Sequence, residues 1–227
     1  MAMVEVRGLT RTYEQGATKV HALRGIDLDI EPGEFTVLMG PSGSGKTTLL
    51  NQIGALDLPD SGSVTIEGRE LAGLSNTALA QLRLERIGFV FQSYNLIPVL
   101  SAYENAEFVL LLQKVGEAER KQRVMSTLAA MGLEGMEGRR PDQLSGGQQQ
   151  RVAVARALAG KPALILADEP TANLDSTTGY ELIATMKQLN EEQGVTFVFA
   201  THDPKVMEHA RRIVRLVDGR IAEDLRK

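Results

Sequence analysis

The chain has 227 residues, of which 43% are hydrophobic and 24% are charged, and its net charge is -4 at pH 7. This length and composition predict one globular domain, or one domain with a substantial insertion, and argue against a disordered chain. The negative charge and the aromatic content of 4% argue against a nucleic-acid partner, and the absence of cysteine excludes disulfides and thiolate metal sites.

The N-terminal part of the sequence predicts antiparallel strands. Val4, Val6 and Leu9 alternate with polar residues, a turn follows at residues 14–16, and a second apolar pattern runs over residues 20–30. Further along, residues 59–62 predict a turn into an alternating strand over residues 63–67. We therefore expect a β-rich, antiparallel start to the fold.

Between these strands lies a glycine-rich loop consisting of Gly40, Pro41, Ser42, Gly43, Ser44, Gly45, Lys46 and Thr47. Its spacing is the G-x-x-x-x-G-K-[ST] of a phosphate-binding loop, with an apolar run over 35–39 before it and a helical run over 48–53 after it. The glycines let backbone N–H groups face phosphate oxygens, but a helix N-terminus supplies only about half a charge. We therefore expect Lys46 to reach the β- and γ-phosphates of a nucleoside triphosphate and Thr47 to hold Mg²⁺.

The rest of the sequence predicts an α/β architecture with a helical insertion. Residues 87–91 form a buried-type strand, and residues 93–160 are almost free of strand-like sequence, with helical periodicity over 102–112, 117–131 and 147–159. Strands over 164–167 and 195–199 flank a helix over 177–193, and strands at 213–217 and near Ile221 follow. We expect one domain, with residues 1–92 and 161–227 as the core and about 93–160 as a helical subdomain.

Two further motifs indicate chemistry. Asp168 and Glu169 follow a predicted parallel strand, where an Asp opposite the phosphate loop would hold Mg²⁺ and the second acid would activate water. Leu144 is followed by Ser145, Gly146, Gly147 and Gln148 at the start of a helix, and the bare N–H groups there predict a second anion site.

Five motifs in this order, namely residues 40–47, Gln92, residues 144–148, Asp168-Glu169 and His202, resemble those of the ATP-binding subunit of an ABC transporter. The resemblance covers the whole chain. It implies a P-loop NTPase core with a parallel sheet, an N-terminal antiparallel β part and an inserted α-helical subdomain. It also implies a homodimer in which each ATP lies between residues 40–47 of one chain and Ser145, Gly146 and Gly147 of the other.

The resemblance suggests roles for single residues. Tyr13 would stack on adenine, Gln92 would contact Mg²⁺ and the attacking water, His202 would contact the γ-phosphate, and Asp175 would communicate across the dimer. Asn173 departs from the Ser-Ala-Leu-Asp pattern that is frequent in this loop of the family, but Asp175 is retained. The implied catalytic residues are Glu169, His202 and Gln92, and the implied magnesium ligands are Thr47, Gln92 and Asp168. The implied nucleotide contacts are Tyr13, residues 40–47, Thr48, Asp168 and residues 145–148.

The resemblance further implies an integral membrane permease as partner, docked on the apolar segment 93–100. Residues 51–57 and 171–175 resemble most the lipoprotein-releasing, macrolide-exporter and cell-division ATPases. An importer ATPase, a soluble ABC protein or a phosphotransferase are the alternatives. Because no apolar run reaches the ~18 residues of a membrane span and no secretory signal is visible, we expect a cytoplasmic chain, peripheral on the inner membrane.

Overall fold

The computed structural model describes residues 1–16 and 18–227, whose strands form two sheets. The strands are β1 Val4–Gln15, β2 Thr18–Ile30, β3 Phe35–Met39, β4 Ser61–Ile66, β5 Arg69–Glu70, β6 Ile87–Val90, β7 Leu164–Asp168, β8 Thr196–Ala200, β9 Arg212–Val217 and β10 Arg220–Arg226. The helices are α1 Lys46–Ile53, α2 Asn76–Arg86, α3 Ala102–Leu112, α4 Glu117–Ala130, α5 Gly146–Ala159, α6 Ser176–Gln193 and α7 Pro204–His209. A short 3₁₀ turn spans Pro141–Gln143.

The smaller sheet contains the N-terminal strands in the order β2-β1-β4-β5, all paired antiparallel. This confirms the predicted antiparallel start. Strand β4 begins at Ser61, two residues before the predicted start, because Ser61 pairs with Thr10 and their hydroxyl oxygens lie 2.7 Å apart. Strand β5 has only two residues, so it carries no periodicity that would predict it.

The larger sheet has the order β10-β9-β3-β8-β7-β6, parallel from β9 to β6, with β10 antiparallel at one edge. Strand β3, which leads into the glycine-rich loop, lies between β9 and β8. The carboxyl ends of parallel strands share one edge of the sheet, where ligands of such sheets bind. The loops after β3, β6, β7 and β8 therefore meet there.

Helices and the smaller sheet cover the two faces of the larger sheet. Alternate residues of its strands, such as Val37 and Leu38, belong to two different core clusters. One cluster contains the apolar side chains of α3, α4, α5 and α6, and the other contains those of α1 and the antiparallel strands. Strands β3, β7 and β8 are thus buried on both faces, which explains their continuous apolar runs.

The predicted helical insertion is present, because α3, α4 and α5 lie between the parallel neighbours β6 and β7. Sequence reasoning missed α2 and α7. Helix α2 buries only Leu79 and Leu82, so its apolar periodicity is weak, and α7 has six residues. Within the described residues, no helix combines the length and the apolar character required to cross a bilayer.

Candidate functional site

A cavity of about 650 Å³ opens at the carboxyl edge of the larger sheet, within the size range of small-molecule sites. Residues that are far apart in the sequence line it together, including Tyr13, the stretch 40–48, Gln92, Glu169 and His202. Strand β3 contributes the loop, β6 leads to Gln92, β7 leads to Glu169 and β8 leads to His202. The sheet order therefore brings most of the predicted site residues into one place.

The glycine-rich loop has backbone geometry that only glycine satisfies easily. Gly45 has φ +103°, and a Cβ there would overlap the carbonyl oxygen of Ala22. Gly45 is also the N-cap of α1 and offers no side-chain acceptor, so the first N–H groups of the helix are free of a side-chain cap. The Ser44 hydroxyl is buried, and none of the described residues forms a hydrogen bond with it. These donors fit an anion such as a phosphate chain.

Lys46 lies across this loop. Its Nζ donates to the carbonyl oxygens of Gly40 and Pro41, at 2.8 and 3.1 Å, and the residue is 8% exposed. These hydrogen bonds hold the ammonium group at the inner side of the loop, where its full positive charge adds to the partial positive charge of the helix N-terminus.

Thr47 and Asp168 form a pair of oxygen ligands beside the loop. The Thr47 hydroxyl donates to Asp168 Oδ1 at 3.1 Å. Burial raises the pKa of Asp168 and the nearby Glu169 adds to the rise, while the hydrogen bond from Thr47 opposes it. The described residues contain no cluster of three or more metal-binding side chains. Mg²⁺ usually takes one or two protein oxygens together with phosphates and water, so this pair fits that ion.

Glu169 is held by the loop after β8. It has φ +45°, and its N–H donates to the carbonyl oxygen of Ala200 at 2.8 Å. Its Oε2 accepts from the hydroxyl of Thr201 at 2.9 Å, and its Oε1 lies 2.8 Å from His202 Nδ1. Both carboxylate oxygens are thus oriented. Sequence reasoning missed Thr201; the available signal was a hydroxyl residue between a buried strand and His202.

Ser145 and Gln148 form a capping box at the start of α5. The Ser145 hydroxyl accepts from Gln148 N at 3.3 Å, and Gln148 Oε1 accepts from Ser145 N at 2.9 Å. This confirms Ser145 as the helix N-cap. A Cβ on Gly146 would lie 2.9 Å from Tyr94 Oη. The stretch 145–148 lies outside the set of residues that line the cavity of its own chain.

Gln92 and the loop before α6 are in contact. Asn173, which departs from the common pattern, donates from Nδ2 to the backbone oxygen of Gln92 at 2.9 Å. Asp175 is the N-cap of α6 and accepts from the N–H groups of Thr177 and Thr178, both at 3.0 Å.

Tyr13 lines the cavity and donates its hydroxyl to Asp57 Oδ2 at 2.8 Å, a partner that the sequence did not predict.

Comparisons with known proteins identify close relatives. A family model described as ABC transporter matches residues 23–172. The macrolide export ATP-binding/permease protein MacB of Syntrophobacter fumaroxidans is 48% identical over 221 residues, which are 96% of this chain and 31% of that protein. The uncharacterized ABC transporter ATP-binding protein MJ0796 of Methanocaldococcus jannaschii is 45% identical over 226 residues, which are 98% of this chain and 96% of the relative.

A comparison with solved structures also finds an ATP-binding cassette. A dimeric structure of the ATP-binding cassette MJ0796, in a post-hydrolysis state bound to ADP and Pi, matches with a TM-score of 0.92 and 46% identity over 99% of this chain and 98% of that chain. The chain spans about a third of the length of MacB and nearly all of MJ0796.

Proposed function

Because the chain belongs to the ABC transporter family, we propose that it is the ATP-binding and ATP-hydrolysing subunit of an ABC transporter, working as a dimer around two ATP molecules. The observation that carries this proposal is the convergence of the loop 40–47, Gln92, Glu169 and His202 on one cavity. The dimeric structure of MJ0796 with ADP and Pi supports it through the similarity of the two chains.

Each group in the cavity has a chemical role in this proposal. The loop N–H groups and Lys46 bind the triphosphate, and Thr47 and Asp168 hold Mg²⁺. When bound, Mg²⁺ neutralises charge on the phosphate oxygens. Glu169 orients the attacking water and accepts its proton, a contribution typically worth about 10²–10⁴-fold in rate.

His202 is placed to serve both Glu169 and the phosphate. Its Nδ1 is engaged with Glu169 Oε1, while the side chain is 76% exposed. The ring can therefore turn its other nitrogen toward the γ-phosphate while Nδ1 keeps its contact with the carboxylate. We assign Gln92 to Mg²⁺ and the water, because it lines the same cavity.

The dimer gives a purpose to the stretch 145–148. It carries the second predicted anion site of the chain and lies outside the first cavity. In a dimer with the chains facing head to tail, Ser145, Gly146 and Gly147 of one chain would close the cavity of the other. ATP would then bind two half-sites, and hydrolysis would release them.

This chain has a groove of about 400 Å³ between the core and the helical insertion, where a membrane partner could dock. Its apolar lining includes Phe91, Phe108 and Leu112, of which Phe108 is 40% and Leu112 is 53% exposed. The partly buried Arg156 lines this groove and donates to the backbone oxygens of Tyr94 and Asn95, so it connects the predicted docking segment 93–100 to the groove. We propose a cytoplasmic helix of an integral membrane permease as the occupant, which makes this chain peripheral to the cytoplasmic face of the membrane. The likeness to MacB supports the macrolide-export type of partner.

Two variants test this function. Glu169→Gln should bind ATP and form a stable ATP-dependent dimer while hydrolysing slowly, because it keeps the shape of the carboxylate and loses the base. Sedimentation with and without ATP measures the dimer, and phosphate release measures turnover. Normal turnover in this variant would remove Glu169 from the catalytic role.

Ser145→Arg should leave ATP binding to one chain intact and prevent the ATP-dependent dimer. The matched control is Ser101→Arg, because Ser101 is also an N-cap in a capping box, at the start of α3. Both variants lose the same cap, so only the shared site distinguishes them. An intact dimer of Ser145→Arg would refute the shared-site model.

A further inference from the structure

A cluster of charged side chains surrounds the phenol of Tyr13. The Tyr13 hydroxyl donates to Asp57 Oδ2 at 2.8 Å, and the guanidinium carbon of Arg11 lies 4.9 Å from the centre of the Tyr13 ring. Arg11 donates two hydrogen bonds to the Asp57 carboxylate, from Nε at 2.9 Å and from Nη2 at 2.8 Å, and its Nη1 donates to Asp60 at 2.8 Å. We call Arg11, Asp57 and Asp60 the Tyr13 brace.

The central pair of the Tyr13 brace is partly buried, and its carboxylates accept further hydrogen bonds. The Arg11 and Asp57 side chains are 23% and 27% exposed, so water and salt screen this pair less than a surface pair, whereas Asp60 is exposed. Asp57 Oδ1 also accepts from Leu58 N at 2.9 Å, and Asp60 Oδ2 accepts from Thr12 N at 2.7 Å. Burial and the hydrogen bond to Asp57 raise the pKa of Tyr13, so the phenol remains a donor at neutral pH.

The brace holds the ring without being part of the cavity lining. Tyr13 lines the cavity, whereas Arg11, Asp57 and Asp60 are not among the lining residues. The Arg11 guanidinium lies over the ring, and the hydroxyl contact with Asp57 fixes the ring's orientation. A flat ligand entering the cavity meets an aromatic surface that is already ordered, which lowers the entropic cost of stacking on it.

Asp57 also connects this surface to the phosphate loop. Helix α1 begins at Lys46 and ends at Ile53, and Leu56 N and Asp57 N then donate to the backbone oxygen of Asn51 at 2.9 and 3.3 Å. After the helix the chain turns at Ala55, whose φ is +53°, and these two hydrogen bonds tie Leu56 and Asp57 to the last turn of the helix. Asp57 therefore joins Tyr13 to the helix whose other end carries the phosphate loop.

We propose that Asp57 and Arg11 are positioning residues for nucleotide binding, which hold the Tyr13 ring at a fixed distance from the phosphate loop as the surface on which the base stacks. The inference rests on the proposed ATP-binding function. It gives the segment 51–57 a specific role, because Asp57 links the part of the site that binds the base to the part that binds the phosphates.

Direct binding measurements separate positioning from a general effect on the fold. Isothermal titration of purified Asp57→Ala with Mg-ATP should show an affinity about tenfold lower, the order expected when base stacking is lost. Inorganic tripolyphosphate with Mg²⁺, which has no base, should bind the variant and the unmodified chain equally. The matched control is Asp29→Ala. Arg7, which lies on β1 like Arg11, donates two hydrogen bonds to Asp29, and neither Arg7 nor Asp29 is among the residues that line the cavity.

A second variant and a double variant complete the test. Tyr13→Phe keeps the ring and removes only the hydrogen bond to Asp57, so it should show a smaller loss of ATP affinity, again without loss of tripolyphosphate affinity. In a Tyr13→Ala background, Asp57→Ala should cause no further loss, because the brace acts only through the ring.

Several results would overturn the inference. These are unchanged ATP affinity in both Asp57→Ala and Tyr13→Phe, an equal loss of ATP and tripolyphosphate affinity, or additive losses in the double variant. Failure of the unmodified chain to bind Mg-ATP would instead overturn the proposed function, and the brace with it. The two failures are thus distinguishable.

Discussion

Thr201→Val tests whether the loop after β8 orients the Glu169 carboxylate, which we propose as the catalytic base. Thr201 is fully buried, and its hydroxyl donates to Glu169 Oε2 at 2.9 Å while accepting from Asp203 N at 3.1 Å. Valine has nearly the same shape, so the substitution removes these two hydrogen bonds and leaves the packing intact. Of the two described side chains that contact the Glu169 carboxylate, only His202 then remains as a partner.

The magnitude follows from the charge on Glu169. A hydrogen bond to a charged group contributes about 1.5–3 kcal/mol, and about 1.4 kcal/mol corresponds to tenfold in rate. We therefore expect kcat to fall by about 10- to 100-fold. KM for ATP should stay the same, because Thr201 lies outside the residues that line the cavity. The unpaired N–H of Asp203 should also lower the free energy of unfolding by about 1–3 kcal/mol.

Steady-state ATP hydrolysis and chemical denaturation together provide the assay. The control is Thr196→Val, since Thr196 is an equally buried threonine at the start of β8, the strand that precedes Thr201, and its hydroxyl accepts from Gly33 N at 3.0 Å. It should lose similar stability with kcat unchanged. Thr201→Ser should restore most of kcat, because serine supplies the same hydroxyl.

Equal kcat values for Thr201→Val and Thr196→Val would refute the reasoning. A rise in KM with kcat unchanged would also contradict it, because that result would assign Thr201 to ATP binding. The comparison therefore distinguishes orientation of the base from stability and from affinity.

Three further predictions concern other buried or charged groups. Lys46→Ala should abolish ATP binding in isothermal titration, because the ammonium is the full charge at the inner side of the loop; unchanged affinity would contradict that role. Gln52→Met should raise the free energy of unfolding by about 1–3 kcal/mol in denaturant titration, because the amide nitrogen and oxygen of Gln52 are both buried and have no hydrogen-bond partner in the part of the chain that the structure describes. The hydrogen bond from Arg212 lowers the pKa of Asp224. The ionised carboxylate therefore stabilises the fold at pH values above the ordinary pKa of an Asp, and this stabilisation is lost as the pH falls through the lowered pKa. Asp224→Asn should thus cost about 1 kcal/mol at pH 7, after allowance for its partial exposure, and nothing in strong acid; a cost independent of pH would refute this.

Much of the architecture was predictable because the signals are local. The apolar runs of β3, β7 and β8, the periodicity of α3 and the N-cap at Ser145 each depend on residues close together in the chain. The loop 40–47 was predictable for the same reason, since its spacing encodes both a backbone shape and a charge.

The sequence by itself determined the order of the residues that we predict to carry chemistry: the predicted phosphate loop, the predicted second anion site before α5 and the acid pair after β7. Only the tertiary structure decided which of them meet. The order of the parallel strands put Gln92, Glu169 and His202 around one cavity and left the stretch 145–148 outside it. It also brought Thr201 to Glu169, and Asp57 to Arg11 and Tyr13. Such contacts join residues from separate elements, so their partners depend on strand order and packing, which no local pattern encodes.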